Sequence, residues 1–319
     1  MKKINLAVIG TGHLGKFHAE KLANLSEVNL KALVDINLDK AQEVAKNLKK
    51  RYQIEPEVYS DFRKVIEKVE AVVIATPTIT HYEIAKEFLL RKKAVFLEKP
   101  IASSWEHSLE LVEISEKEGV PFQIGYVERF QEPVKLLMEK VLNPLFIEAH
   151  RLSSFVERNL DIDVVLDLMI HDLDLALYLK GYPKIKMIHA VGAPLFSDHY
   201  DIVNARVVFE DETTANFTAS RVSLKKERRF RVFEKGVYYV VDTLEKSFLE
   251  IKVNPQKREF IPFKRGFLNT DPLKEELKAF VRSVLYGERV QVSGREALEA
   301  LRLAFLIKNS VESHLQKLK

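Results

Sequence analysis

The stretch AVIGTGHLGKFHAEKL, residues 7–22, decides the fold of the first part of the chain. It ends a short apolar run and places Gly10, Gly12 and Gly15 ahead of an amphipathic segment. Glycines at this spacing allow a tight turn, let a pyrophosphate approach the backbone, and let the following helix pack closely. Asp35 closes the next apolar run, NLKALVD, twenty residues after Gly15. An acid at this spacing binds the hydroxyls of an adenosine ribose, so the stretch predicts a dinucleotide-binding turn.

The same turn also specifies the cofactor. The residues expected at the cofactor are Gly10, Gly12, His13, Leu14, Gly15 and Asp35. The N-terminus of a helix attracts phosphate through its unpaired N–H groups and its dipole. A carboxylate at Asp35 would repel the 2′-phosphate of NADP, so the sequence favours NAD over NADP. The alternative interpretation is an ordinary glycine-rich turn between a strand and a helix.

Short apolar runs alternate with helical patterns through the first part of the chain. The predicted strands are Ile4–Ile9, Leu30–Asp35, Ala71–Ala75, Ala94–Glu98 and Phe122–Gly125. Strands that are apolar throughout and separated by helices form a parallel sheet covered on both faces. Residues 1–122 are therefore predicted to form a doubly wound α/β domain of the Rossmann type.

The pattern changes after residue 122. Segments such as DIVNARVVFE (201–210) and RRFRVFEKGVYYVVD (228–242) alternate polar with apolar residues, as strands with one wetted face do. Two helices close the chain, with expected starts at Asp271-Pro272 and at Ser293. Residues 123–319 are predicted to form an α/β domain with an open-faced, mostly antiparallel sheet. We expect this domain to bind substrate and to support a homodimer or homotetramer.

The composition excludes several classes of protein. The 319 residues carry a formal net charge of +4, which is too small to indicate nucleic-acid binding. The chain contains no cysteine, which excludes disulfides and thiolate chemistry and is compatible with the cytoplasm. The apolar run Ile4–Ile9 is too short for a signal peptide, and no stretch approaches the ~20 apolar residues that span a membrane. We therefore expect a cytoplasmic protein without nucleic-acid or membrane partners.

The glycine turn and three further motifs carry a resemblance to a known family. The chain resembles the glucose–fructose oxidoreductase/inositol dehydrogenase/MocA family in four stretches. In chain order they are GTGHLG (10–15), ATPTITHYEIAKEFL (75–89), LEKPIA (97–102) and LDLMIHDLDLAL (166–177). The resemblance implies a Rossmann domain followed by an open-faced sheet, and hydride transfer between a nicotinamide and a sugar or polyol carbon. Lys99 matches the active-site lysine of the family, and the Lys99–Pro100 peptide is a candidate for the cis form.

Polar residues follow two of the predicted parallel strands. Ligands of such sheets bind beyond the carboxyl ends of the strands, so Thr76, Pro77, His81, Glu98 and Lys99 are expected to border the cofactor. A simple helix start is the alternative interpretation for the first three residues.

The substrate expectation rests on local similarity. Three stretches are most similar to bacterial enzymes that oxidise C3 of UDP-N-acetylglucosamine. They are GYVERF (125–130), the histidine-containing segment VVLDLMIHDLDLAL (164–177) and SRVSLKKERRFRVFEKGVYYVVD (220–242). Family members often carry a glycine-rich run just before the aspartate of this histidine-containing segment. This chain instead has LDIDVV (160–165), so the contacts that the run would make to the substrate are in doubt. A 3-keto product would make an aminotransferase a sensible pathway partner.

The segment VVLDLMIHDLDLALYL, residues 164–179, reads as a buried helix that carries charges. At about 100° per residue, Asp163, Asp167, His171 and Asp174 fall on one narrow stripe, with Asp172 on the opposite side as a structural or exposed acid. We assign His171 as the general base, Asp167 as the group that orients it, and Lys99 as the polarising or proton-relaying group. The resemblance implies the same three roles. A core histidine and a metal ligand are the alternatives, but the metal lacks further ligands at suitable spacing.

Other polar residues are candidates for substrate binding. The set comprises Tyr126, Glu128, Arg129, Arg151, Asp163 and His171. Arg151 and Arg158 could pair with a diphosphate or could be ordinary surface residues. A free sugar or inositol is an alternative substrate, and a non-catalytic NAD- or sugar-binding regulator is the alternative function.

Overall fold

The computed structural model describes residues 2–155 and 162–318. The chain divides into two compact units. The first combines the residues up to Val127 with Asp271–Leu298, and the second combines Glu128–Thr270 with the residues from Glu299 onward.

The described residues contain eight α-helices. They are α1 (Gly15–Ala23), α2 (Leu38–Tyr52), α3 (His81–Leu90), α4 (Trp105–Glu118), α5 (Glu132–Lys140), α6 (Ile170–Lys180), α7 (Pro272–Tyr286) and α8 (Gly294–Leu318). Shorter 3₁₀ segments cover Phe62–Lys68, Thr78–Thr80 and Val127–Phe130, and a π-helical segment covers Val165–Met169. None of the helices described is long and apolar enough to cross a membrane.

The first unit is built on one parallel sheet. Its strands are β1 (Ile4–Ile9), β2 (Val28–Val34), β3 (Glu57–Tyr59), β4 (Ala71–Ile74), β5 (Ala94–Glu98) and β6 (Phe122–Gly125). The strands lie in the order β3-β2-β1-β4-β5-β6, and every pair is parallel. The doubly wound sheet predicted from the apolar runs is thereby confirmed. The sequence missed β3, because three residues at a sheet edge leave too short a pattern to recognise.

Helix α7 belongs to the first unit, although the sequence division at residue 122 places it with the second. Leu277, Phe280 and Val281 on this helix are buried in the core around β1 and β5. The ring of Phe280 meets the ring of Phe96 edge-on, with centroids 5.8 Å apart. This apolar contact draws residues distant in sequence into the first core.

The second unit is built on a sheet of eight strands. They are β7 (Phe146–Leu152), β8 (Ile185–Ala193), β9 (Ile202–Phe209), β10 (Thr214–Ser220), β11 (Glu227–Glu234), β12 (Val237–Asp242), β13 (Ser247–Asn254) and β14 (Glu259–Gly266). Their order is β14-β13-β12-β11-β7-β10-β9-β8. Only the β7–β10 pair is parallel among these strands, so the mostly antiparallel sheet is confirmed.

The two faces of this sheet differ in burial. On β7, the side chains of Ile147, Ala149 and Arg151 are buried, while the residues between them are partly exposed. Helix α5 contacts β12 and β13, and α6 contacts β7 and β10. The alternation matches the wetted face that the sequence pattern predicts.

The two closing helices begin where the sequence predicts. The side chain of Asp271 accepts a hydrogen bond from the backbone N–H of Lys274 at the start of α7. Ser293 and Glu296 form a reciprocal pair at the start of α8, each side chain accepting from the backbone N–H of the other. Both arrangements satisfy N–H groups that a helix start leaves unpaired.

Candidate active site

The glycine turn between β1 and α1 has the geometry of a phosphate-binding turn. Gly10 has φ +87°, and a Cβ there would lie 2.6 Å from the carbonyl oxygen of Ala75. A Cβ at Gly15 would overlap the carbonyl oxygen of Gly10. A Cβ at Gly12 would meet nothing within 4 Å, so this glycine borders open space. The first and third glycines are needed by the fold, and the second leaves room for a ligand.

The start of α1 is suited to bind an anion. Leu14 stands at the N-cap position and provides no side-chain hydrogen bond to the helix. The side chains of His13 and Leu14 are exposed beside the turn. A cavity of about 520 Å³ adjoins Gly12 and His13 and extends between α1 and α2. A helix start without a side-chain cap can offer its N–H groups to phosphate oxygens.

Asp35 holds the glycine turn through its side chain. One carboxylate oxygen accepts hydrogen bonds from the backbone N–H and the hydroxyl of Thr11, at 2.8 and 3.0 Å. The other accepts from the backbone N–H of Asn37 at 2.9 Å. The oxygen that accepts from Asn37 keeps a lone pair with which it can accept from a ribose hydroxyl. The sequence analysis did not identify the part played by Thr11.

His81 lies inside the first unit rather than at a cofactor-facing surface. It is 1% exposed, and its ring nitrogens lie 2.8 Å from the carbonyl oxygen of Pro100 and 2.9 Å from that of Thr76. Burial lowers the pKa of this imidazole against the opposing effect of the two carbonyls. The ring thus lies between the carbonyls of two loops, and its expected contact with the cofactor stays a prediction. Thr76 and Pro77 remain at the end of β4.

Glu98 is likewise turned into the interior. It is 8% exposed, and its Oε1 lies 2.6 Å from Nε2 of His18, which is fully buried. A Cβ at Gly125 would come within 2.9 Å of Oε2 of Glu98. The carboxylate is thus enclosed by α1 and β6, and its expected contact with the cofactor stays a prediction. Sequence reasoning missed His18, although Gly15, His18, Ala19 and Leu22 share the buried face of α1.

Lys99 follows β5 directly and is partly exposed. The Lys99–Pro100 peptide bond is cis, as the resemblance suggested. Neighbouring Tyr126 follows β6, and its side chain is 1% exposed. Its assignment to substrate binding stays a prediction.

The histidine-containing segment does not begin as a regular α-helix. Residues Val165–Met169 form a π-helical turn, in which the N–H of Ile170 bonds to the carbonyl of Val165 five residues earlier. Helix α6 then runs to Lys180. The wider turn invalidates the 100° projection across this boundary, because that projection assumes α-helical geometry throughout.

Asp163 is the cap of this segment rather than part of a catalytic stripe. Its Oδ1 accepts from the backbone N–H groups of Val165 and Leu166 at 3.0 and 3.1 Å. Its Oδ2 forms an ion pair with Lys308 at 2.7 Å. The residue is 3% exposed, and its assignment to substrate binding stays a prediction.

Asp174 forms a buried ion pair with Arg129. The guanidinium binds it through two bonds, Nε–Oδ2 at 2.8 Å and Nη2–Oδ1 at 2.5 Å. Nη2 also donates to the hydroxyl of Tyr182 at 2.9 Å. Arg129 is therefore part of the interior of the second unit, and its assignment to substrate binding stays a prediction.

Asp172 takes part in a second buried network. Arg151 binds both of its oxygens, at 3.0 and 2.8 Å, and also binds Oε1 of Glu128 at 2.8 Å. Burial raises the pKa of Asp172, while the Arg151 guanidinium overcomes the effect of burial on Glu128 and lowers its pKa. The three side chains are 3–5% exposed, so Asp172 is structural and not exposed. The assignments of Arg151 and Glu128 to substrate binding stay predictions, and Arg158 lies outside the described residues.

Asp167 and His171 remain as the half-buried ionisable groups of this segment. Asp163, Asp172 and Asp174 are all buried, at 3, 4 and 1% exposure. Asp167 lies within the π-helical turn and donates its backbone N–H to the carbonyl of Asp163, while His171 is the second residue of α6. The stripe therefore divides into two buried, paired acids, Asp163 and Asp174, and one partly accessible acid–imidazole pair of residues, one turn apart.

The described residues contain no group of three or more His, Asp or Glu side chains placed to hold a metal ion.

The family comparison matches the two parts of the chain separately. Residues 4–126 match the model of the oxidoreductase family with an NAD-binding Rossmann fold, and residues 143–238 match the GFO/IDH/MocA C-terminal domain. The chain belongs to the GFO/IDH/MocA family. It is therefore an oxidoreductase with an NAD-binding Rossmann domain.

Members of this family that resemble the chain act on different alcohols. UDP-N-acetylglucosamine 3-dehydrogenase of Acidithiobacillus ferrooxidans is 32% identical over 99% of this chain and 100% of its own. A solved structure of that enzyme, aligned with 30% identity, covers 98% of this chain and 99% of its own with a TM-score of 0.89. Myo-inositol 2-dehydrogenase of Thermotoga maritima is 29% identical over 97% of this chain and 96% of its own.

Proposed function

We propose that the protein is an NAD-dependent dehydrogenase that oxidises a secondary hydroxyl of a sugar nucleotide, namely C3 of UDP-N-acetylglucosamine. The observation that carries the proposal is the partly accessible position of Asp167 and His171 on a segment whose other acids are buried and paired. Buried, paired acids stabilise the segment, and a partly accessible imidazole can exchange a proton with a ligand.

The proposed chemistry divides among three side chains. His171 takes the hydroxyl proton, Asp167 orients the imidazole, and Lys99 stabilises the developing alkoxide. When bound, NAD supplies the acceptor for the hydride that leaves the same carbon. The C–H and O–H bonds break, the C=O bond forms, the alcohol is oxidised to a ketone and NAD is reduced to NADH.

The cofactor is proposed to be NAD rather than NADP. The carboxylate of Asp35 binds Thr11 of the glycine turn, and its negative charge disfavours a 2′-phosphate on a cofactor bound there. Asn37 and Lys40, which come shortly after it, supply no arginine clamp for such a phosphate. The cofactor-binding residues proposed are Gly10, Gly12, His13, Leu14 and Gly15, together with Asp35, Thr76, Pro77 and Lys99.

The choice of substrate is supported by the relative that matches over its full length. That relative carries UDP-N-acetylglucosamine 3-dehydrogenase in its name and aligns with this chain from end to end. An inositol is the second candidate substrate, supported by the inositol dehydrogenase that is 29% identical.

The proposal extends to partners. The equilibrium between the alcohol with NAD and the ketone with NADH is expected to favour the alcohol. An aminotransferase that consumes a 3-keto product is therefore the proposed pathway partner. A homodimer or homotetramer is proposed for the protein, because the partly exposed face of the eight-stranded sheet is free for association within the described chain.

The test is a substrate panel with the purified protein. UDP-N-acetylglucosamine, UDP-glucose, free N-acetylglucosamine and myo-inositol are each incubated with NAD or NADP, and NADH or NADPH absorbance is followed. We expect turnover with NAD and UDP-N-acetylglucosamine, oxidation at C3 in the product, and a higher yield when an aminotransferase is added. Tight NAD binding without turnover of any substrate would favour a non-catalytic regulator instead.

A further inference from the structure

Two buried histidines flank the Glu98-Lys99-Pro100 turn in the first unit. His18 contacts the side chain of Glu98, and His81 contacts the carbonyl oxygen of Pro100. The two imidazoles are 0% and 1% exposed. They therefore act on the residues immediately before and after Lys99 without being accessible themselves.

His18 holds the turn from the side of helix α1. Its Nε2 lies 2.6 Å from Oε1 of Glu98, and its ring packs edge-on against Phe96 with centroids 5.4 Å apart. Nδ1 is buried and has no hydrogen-bond partner among the described residues, so the ring contributes its N–H through Nε2. A buried carboxylate needs such a donor, because desolvation without one is costly.

The second carboxylate oxygen of Glu98 is confined as well. A Cβ on Gly125 would lie 2.9 Å from Oε2, so the glycine leaves the space that the carboxylate fills. The side chain of Glu98 is fixed between α1 and the end of β6. Its backbone, which continues into Lys99, is fixed with it.

His81 holds the turn from the other side. One ring nitrogen contacts the carbonyl oxygen of Pro100 at 2.8 Å, and the other contacts that of Thr76 at 2.9 Å. The imidazole thereby ties the turn after β5 to the loop after β4. Both loops lie at the carboxyl ends of parallel strands, where ligands of such sheets bind.

We infer that His18 and His81 are positioning residues that hold Lys99 in place for hydride transfer. The inference rests on the role proposed for Lys99 in the dehydrogenase reaction. Helix α1, which carries His18, begins at Gly15 of the glycine turn, so the same contact links the cofactor-binding turn to the lysine. Catalytic groups must be held within about 0.5 Å of their working position by such supporting contacts.

The kinetic test compares an apolar and a conservative replacement of His18. His18→Leu removes the N–H donor, whereas His18→Gln can still donate to Glu98 from a similar distance. His107→Leu, at an exposed histidine on α4 of the same unit, is the matched control. Misplacement of a catalytic group by ~1 Å costs up to about 100-fold in rate.

We expect His18→Leu to lower kcat by about 10- to 100-fold while KM for NAD changes less than threefold. His18→Gln should recover most of kcat, and His107→Leu should match the wild type. His81→Leu should likewise lower kcat and change KM for NAD less than threefold. A kcat for His18→Leu within twofold of the wild type, or equal losses in the leucine and glutamine variants, would overturn the inference.

A second measurement needs no turnover. An amine-reactive acylating reagent is applied to each variant with and without NAD, and labelling of Lys99 is quantified by peptide mass spectrometry. His18→Leu should change the Lys99 labelling rate at least threefold, while His18→Gln and His107→Leu leave it close to the wild-type rate. Unchanged labelling in His18→Leu would overturn the inference. If the wild type oxidises no substrate, the proposed function fails, and this labelling still decides whether the histidines position Lys99.

Discussion

Arg129 and Asp174 form a doubly bonded ion pair inside the second unit, with side chains 4% and 1% exposed. The pair links Arg129 to helix α6, because Asp174 lies on that helix 45 residues later in the sequence. A neighbouring network, Arg151 with Asp172 and Glu128, anchors the same helix. Two of the acids on the histidine-containing segment therefore fix the helix in place, and this frees the partly accessible pair for chemistry.

Breaking the Arg129–Asp174 pair should destabilise the protein strongly. Arg129→Met leaves a buried carboxylate without its partner, and we expect a loss of about 3–5 kcal/mol in the free energy of unfolding. Urea denaturation monitored by circular dichroism measures it. Lys49→Met, which breaks an exposed pair with Glu55, is the control and should cost less than ~1 kcal/mol. A loss of similar size in the two variants would contradict the structural role of the buried pair.

Asp201 should make stability depend on acidic pH. Burial would raise its pKa, but the backbone N–H groups of Phe196 and Leu195 and the Arg221 guanidinium outweigh burial and hold the pKa well below its usual value. Stability from this group is therefore present above its unfolded pKa of 3.8 and is lost as the pH falls below that value. Unfolding free energies of the wild type and Asp201→Asn should converge as the pH is lowered. A constant difference between them would contradict this linkage.

His81 should contribute a separate dependence at higher pH. Burial lowers the pKa of its imidazole below the ordinary 6.5, so the unfolded chain binds a proton before the folded chain does. The corresponding stability is present above pH 6.5 and declines as the pH falls through the folded pKa. In His81→Gln the free energy of unfolding should decline less steeply with falling pH. Urea denaturation at a series of pH values measures it. A slope in the variant equal to that of the wild type would show that another group is responsible.

The glycines of the turn should separate binding from stability. Gly12→Ala places its methyl group in open space, so we expect the unfolding free energy to change by less than ~0.5 kcal/mol. NAD affinity should nevertheless fall at least tenfold, about 1.4 kcal/mol, because a pyrophosphate approaches this residue. Calorimetric titration with NAD measures the affinity. Gly10→Ala is the comparison, and its positive φ predicts a loss of stability as well. Unchanged NAD affinity in Gly12→Ala would contradict the assignment.

The sequence predicts those features that depend on local pattern. The apolar strands, Gly10, Gly15 and Asp35 are recognisable because spacing along the chain determines their geometry. The buried face of α1 also places His18 in the core, since Gly15, Ala19 and Leu22 share its helical spacing. That signal was present in the sequence and was missed.

The features that could not be predicted depend on distant partners or on local deviations from regular geometry. Asp172 and Asp174 are paired with arginines 21 and 45 residues away, and hydrophobic periodicity contains no information on such contacts. The π-helical turn at Val165–Met169 is wider than an α-helical turn. An α-helical projection therefore gives the residues before α6 wrong angular positions relative to those in α6. Asp163 was therefore placed on the stripe with His171, although it caps the segment.

The central claim is that His171 removes the proton of the substrate hydroxyl, and the steady-state kinetics of His171→Asn test it most directly. His189→Asn, at an exposed histidine on β8, is the control. A general base contributes about 10²- to 10⁴-fold to the rate, so kcat should fall by that factor while the Kd for NAD stays within twofold of the wild type. A His171→Asn variant that binds NAD and retains nearly full turnover of UDP-N-acetylglucosamine would contradict the account.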